Sequence, residues 1–252
     1  MPIFPASDFS LTTYHPVMPE IVYEDNHIIV VNKRPGEIVQ GDKTGDEPLS
    51  ETLKRYLKEK YAKPGNVFCG VVHRLDRPVG GLVVFAKTSK ALTRLNEMFR
   101  NGDIHKTYWA ITRNRPPKEN DELHHYITTV ERNNKSYVAE QPKEGAKEAR
   151  LRYKLLTSTE RYHLVEVELL TGRKHQIRVQ LASIGCPIKG DLKYGDKRSN
   201  QDGSISLIAR HIDFIHPVSK QRISLDAPVP ANDNLWQALW EGVQSDIPAI
   251  DK

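Results

Sequence analysis

Residues 73–81 read HRLDRPVGG and stand between two apolar runs, Val71-Val72 and Leu82 to Ala86. Within them one carboxylate, Asp76, is flanked by Arg74 and Arg77, and neighbouring cations favour its ionised form. An ionised acid suits a nucleophile, or an electrostatic stabiliser of a cationic transition state, better than a general acid. A loop salt bridge or a turn-capping aspartate fits the same residues. A second constellation, Thr171-Gly172-Arg173-Lys174-His175-Gln176, runs into an expected helix that carries Arg178. Cations and free N–H groups at a helix start can hold an anion, and Arg178 can turn back toward a carboxylate. A solvated basic helix start explains the same run equally well. Taken alone, Tyr108 in KTYWA reads as a core aromatic.

Other chemistry is excluded more cheaply. GxGxxG, GxxxxGK, GxSxG and HExxH do not occur, which removes the usual signs of dinucleotide binding, nucleotide hydrolysis, nucleophile-elbow hydrolysis and zinc proteolysis. The ten histidines are scattered. His124-His125, or His211 with His216, could ligate a metal, but hydrogen-bonded imidazoles are the commoner outcome, so no metal is expected. Cys69 and Cys186 are the two cysteines, without metal-ligand spacing, and point to reduced thiols in a cytoplasmic setting. No apolar run reaches membrane-spanning length and no basic-then-apolar leader opens the chain. The net charge of +5 leans toward polyanionic partners.

The elements that must position these residues follow from periodicity and punctuation. Prolines at 2, 5, 16 and 19 predict an extended strap over residues 1–19. EIVYEDNHIIVVNKRPG predicts a hairpin turning at Glu24-Asp25-Asn26. A helix with Leu53, Tyr56 and Leu57 follows Ser50 and ends near Pro64-Gly65, just before the HRLD loop. Thr88 or Ser89 caps a helix closed by Asn101-Gly102. Residues 114–149 are polar and suggest long hairpins or mobile loops. HLVEVEL alternates as a half-buried strand. Then come a helix with Ile177, Leu181 and Ile184 stopped by Gly185, two more strands, and a last helix capped near Asn232 or Asp233. Strands interleaved with a few helices predict an α+β fold: a mixed, largely antiparallel sheet with packed helices. No coiled-coil heptads occur, which leaves a monomer as the expected state.

HRLDRPVGGLVVFAKT, then KTYWA, then LTGRKHQIRVQLASIGCPIKGDLKYG resemble, in this order, the RluA family of pseudouridine synthases. IVYEDNHIIVVNKRPG resembles that family's opening hairpin and FIHPVSK its late strand, so the likeness runs from about Glu20 to about Pro228. The resemblance implies the pseudouridine synthase fold over residues 20–252, with a central RNA-binding cleft and no S4-like module ahead of it. It implies a cofactor-free isomerase of uridine in rRNA or tRNA, with Asp76 as the catalytic nucleophile, Tyr108 stacking on the uracil and Arg178 pairing with Asp76. Arg74 resembles the arginine that takes the space of the extruded base, since chemistry on a nucleobase requires taking it out of its stack. Arg173, Lys174 and His175 are expected on phosphates, Gly80 where backbone approaches RNA, and Arg77 with them on the RNA side. His73 is expected there too, or as a structural partner of the motif. Two departures, Val79-Gly80 where relatives carry Thr-Ser and Gln180 where they often carry His, remove no reacting group. Two rival readings are a catalytically silent RNA-binding or ribosome-assembly protein and an N-glycosylase that cleaves without rejoining.

Overall fold

The run IIVVNK is β-branched and apolar on both sides of its pleat, and it forms an inner strand, one in from the sheet edge, buried on both faces. The computed structural model describes residues 18–245, so the expected strap at 1–19 lies almost wholly outside the described residues. The strands are β1 (Glu20–Glu24), β2 (Ile28–Lys33), β3 (Gly70–Val71), β4 (Gly80–Ala86), β5 (His105–Thr112), β6 (Asn120–Val130), β7 (Lys135–Ala139), β8 (Lys147–Ser158), β9 (His163–Leu169), β10 (Leu207–Ile215) and β11 (Arg222–Asp226). The helices are α1 (Leu49–Lys60), α2 (Ser89–Asn101), α3 (Gln176–Ser183) and α4 (Asn234–Ser245).

All the strands join one sheet in the order β1-β2-β4-β10-β5-β9-β8-β6-β7, with β11 on β10 and β3 on β4. Only the β10–β4 contact is parallel among these pairings, which bears out the mixed, largely antiparallel expectation. The alternation of side chains along each strand gives both faces something to bury. Val83 and Phe85 of β4 pack with Leu49, Leu53 and Leu57 of α1, while Leu82 and Val84 pack with Ala91 and Leu95 of α2. In the other half, Tyr108, Ala110, Val165 and Val167 meet Ile177 and Leu181 of α3. Trp109, Ile111 and Leu164 meet Trp236 and Leu239 of α4 on the opposite side. β9 keeps the expected alternation, with Val165 and Val167 buried and Glu166 and Glu168 part-exposed, except at Leu164, which α4 covers on the other face.

Helix ends follow their expected chemistry. Thr88 accepts from Ala91 N–H at the start of α2, and Gly102 ends it in the left-handed region. Asp233 accepts from the N–H groups of Leu235 and Trp236 before α4. α1 begins one residue ahead of Ser50, after Pro48 and without a side-chain cap. The polar middle of the chain is ordered as the long β6–β7 hairpin, paired from Tyr126 with Ala139 to Val130 with Lys135.

Candidate active site

The HRLD loop leaves β3 and enters β4 at the junction between the two halves of the sheet. Its side chain Leu75 packs against the cores on both sides. Lys33, at the end of β2, is 1% exposed. Its ammonium donates to the carbonyls of Arg34 (2.9 Å), Arg77 (3.1 Å) and Val79 (2.7 Å). Burial pushes the Lys33 pKa down to about 8, and three carbonyl acceptors are what a buried ammonium needs. Further ties run from Gly36 N–H to Arg77 O and from Ile205 N–H to Pro78 O. The loop is thereby a fixed platform, and Asp76 stands on it.

From the other half of the sheet, α3 brings Arg178, only 6% exposed in its side chain, to Asp76, which is 30% exposed. Arg178 Nη1 donates to Asp76 Oδ2 at 2.9 Å across 102 residues of sequence. Its Nε and Nη2 donate to the two oxygens of Asp191 at 2.7 and 2.9 Å, a bidentate geometry that fixes the guanidinium plane. Burial works against the Arg178 charge, but Asp191 and Asp76 outweigh it and hold its pKa above the ordinary arginine value. The Tyr194 ring lies under the same guanidinium at 5.0 Å. His175 Nε2 is 3.6 Å from Asp76 Oδ2, and its Nδ1 is 2.8 Å from the Tyr194 hydroxyl.

These groups floor a cleft of about 400 Å³ lined by Arg74, Leu75, Asp76, Val79, Tyr108, Leu169, Arg173, His175, Gln176, Ile177, Arg178 and Leu207. Tyr108 is 6% exposed, and burial, then the charge of Asp76, raise its pKa well above the usual phenol value. It is a neutral phenol, suited to stacking rather than to waiting as a phenolate base. Arg74 is exposed at the cleft and makes no ion pair among the described residues.

Asp76, Tyr108, Arg178, Arg74, Arg173 and His175 are thus brought together, while other expected site residues are not. Arg77 does not flank the carboxylate: it pairs with Asp46 at 2.6 Å and donates to Thr44 at 2.7 Å on the 42–46 loop. His73 accepts from Val84 N–H at 3.0 Å and lies 4.8 Å from the Phe99 ring. Burial, then Lys106, push its pKa down to about 3, so it is a neutral structural imidazole and not an RNA contact. A Cβ on Gly80 would meet Lys33 O and Pro35, and one on Gly81 (φ +108°) would lie 2.4 Å from Ala209 O. The glycine pair lets strand approach strand rather than backbone approach RNA. Lys174 is exposed and pairs with Glu131 at 3.2 Å. His175 is buried beside Asp76, not out on a phosphate path. Gln180, also buried, donates to the carbonyls of Leu123 and Ala149 and stands outside the cleft.

Lys33, Asp191 and Tyr194 went unmarked in the sequence. The only signal for the last two was GDLKYG, whose aspartate sits 13 residues from Arg178. Among the described residues no group of three or more His, Cys, Asp or Glu is placed to hold a metal. His124 pairs with Glu148, His211 with Asp226 and His216 with Asp25.

Comparison with known proteins adds to this geometry. A family model described as RNA pseudouridylate synthase matches residues 27–183. The chain is 32% identical over 228 residues to ribosomal large subunit pseudouridine synthase D of Zymomonas mobilis, covering 86% of this chain and 71% of that protein. It is 33% identical over 245 residues to tRNA pseudouridine synthase C of Vibrio vulnificus, covering 89% and 95%. Among solved structures, human RNA pseudouridylate synthase domain containing 4 superposes with a TM-score of 0.72 at 24% identity, over 89% of this chain and 93% of that one.

Proposed function

The chain belongs to the RNA pseudouridylate synthase family, and from that premise we propose that it isomerises uridine in RNA through Asp76. The observation that carries the assignment is the ion pair between Asp76 and Arg178 at the floor of a cleft walled by Tyr108. The reaction breaks the N1–C1′ bond, turns the uracil, joins C5 to C1′, releases the C5 proton and leaves N1 to take one up, so no atom is gained or lost overall. The cleft admits a base only after the nucleotide has left its helix. Asp76 then faces the nucleoside with its Oδ2 held by Arg178, a cation it shares with Asp191. Tyr108 offers a ring face on which the uracil can rotate without leaving. Arg74, exposed and unpaired, is placed to occupy the space the base vacates. Arg173 and Lys174 at the rim supply cations for phosphates, with affinity that falls as salt rises.

Relatives named for ribosomal RNA and for transfer RNA are both similar to this chain, and one of these two RNA classes is the proposed substrate. We assign the protein to the cytoplasm as a monomer; no described helix is long and apolar enough to cross a membrane. The test is incubation of purified protein with unmodified rRNA and tRNA transcripts, followed by mapping of pseudouridine. Pseudouridine at a small number of positions, without free uracil, is the expected result. Salt-dependent RNA binding with no pseudouridine in either class would overturn the reading, and free uracil would indicate cleavage without rejoining.

A further inference from the structure

We propose that His175 and Tyr194 are positioning residues: they hold Asp76 by one carboxylate oxygen, Oδ2, and leave Oδ1 free to react. The inference rests on the reading of Asp76 as the reacting group and follows from counting protons. Tyr194 Oη accepts from Ser136 N–H at 2.8 Å. Its own proton faces His175 Nδ1 at 2.8 Å, while the nearby Ser136 hydroxyl spends its proton on Lys174 O at 2.8 Å. With Nδ1 accepting, the imidazole proton sits on Nε2, the atom that faces Asp76 Oδ2. The opposite tautomer would aim a lone pair at a carboxylate and set two donors, N–H and O–H, against each other between His175 Nδ1 and Tyr194.

The surroundings keep the ring in that form. Burial, opposed by Asp76 and reinforced by Arg178, Lys193 and Lys174, pushes the His175 pKa down to about 4, so the ring stays neutral near pH 7. His175 occupies the left-handed region (φ 55°) immediately before α3, and its side chain makes no capping bond there. A non-glycine residue is strained in this conformation, and here the conformation turns the imidazole into the cleft instead of onto the helix end. Arg178 reaches the same oxygen, Oδ2, at 2.9 Å. Among the described residues nothing hydrogen-bonds Oδ1. The Nε2 contact is roughly half an ångström longer than a hydrogen bond, so the His175 N–H faces Oδ2 as an oriented dipole while Arg178 makes the bond.

The experiment uses the full chain. In ¹⁵N-labelled protein, the His175 ring should show a protonated Nε2 and a bare Nδ1; the reverse overturns the proposal whether or not any variant folds. Against an RNA substrate, His175→Ala should lower kcat about 10- to 100-fold, the range expected for a misplaced reacting group, with KM and RNA affinity within about twofold. His175→Gln, whose amide N–H can stand where Nε2–H stands, should recover most of the rate. Tyr194→Phe keeps the ring under Arg178 but loses the hydroxyl, and should lower kcat while letting the imidazole tautomers mix. If His175→Ala instead raises KM with a shallower salt dependence and unchanged kcat, the residue contacts phosphate and the proposal fails. An Asp76→Asn control separates the two readings. If that variant is active, the site assignment itself falls; if it is dead and His175→Ala is unaffected, only the positioning role falls.

Discussion

Glu24 and Asp76 are both held by cations beside aromatic rings, and they differ in how much of the carboxylate those partners fill. Glu24, at the end of β1, receives Lys87 (2.6 Å) and Tyr61 (2.7 Å) on Oε1, and Lys60 (2.7 Å) and Tyr56 (3.1 Å) on Oε2. Its side chain is 7% exposed. Burial would raise its pKa, but the hydrogen bonds of Lys60, Lys87 and Tyr61 outweigh that and bring it to about 2. Every strong acceptor position is filled, so Glu24 is a strut joining β1, α1 and the residue after β4. Asp76 accepts from Arg178 on one oxygen, Oδ2, which His175 Nε2 faces at 3.6 Å, and it lines the cleft. An acid saturated by donors stabilises a fold, whereas one anchored on a single side keeps a lone pair for chemistry.

Removing a partner of Asp76 should change turnover most. Arg178→Ala is expected to lower kcat about 100- to 1,000-fold with a smaller loss of RNA affinity, measured under saturating RNA. Asp191→Ala leaves the buried guanidinium half-paired and should also cost about 3 kcal/mol of stability in denaturant titration. Glu24→Gln reverses the pattern: turnover should stay within about twofold while stability falls by about 2 kcal/mol. If Glu24→Gln abolishes turnover at unchanged stability, the contrast between the two acids is broken. The pH dependence of stability sharpens it further. Because the folded pKa of Glu24 lies below the ordinary value of 4.5, its contribution is full above about pH 4.5 and is lost as pH falls toward 2. The Glu24→Gln variant should lack that part of the acid transition in thermal melts across this window. Smallest is the effect at the rim, where Lys174→Ala should weaken RNA binding a few-fold and reduce the salt slope by about one.

Strand and helix positions were readable because their signals are local. HLVEVEL alternates, Thr88 caps, Gly102 stops, and the HRLD loop is framed by apolar runs on both sides. What stayed hidden depends on distance through space. HRLDR places two arginines beside Asp76, yet Arg77 turns to the 42–46 loop, while the true partner arrives from α3. Asp191 and Lys33 escaped notice because a lone acid in a loop and a lone lysine after a strand look like surface residues until the chain folds around them. His175 was placed among phosphate-binding cations by its neighbours Arg173 and Lys174. Its left-handed backbone, which no residue pattern announces, turns it inward instead.

The central claim is that Asp76 supplies the reacting oxygen. The most direct measurement is single-turnover release of tritium from C5 of uridine in a substrate RNA, with RNA affinity measured in parallel for the wild type and Asp76→Asn. The amide keeps the size of the side chain and removes the ionised oxygen. A fall in rate of at least about a thousandfold with near-normal RNA affinity is the result predicted; release within about tenfold of the wild-type rate would contradict it.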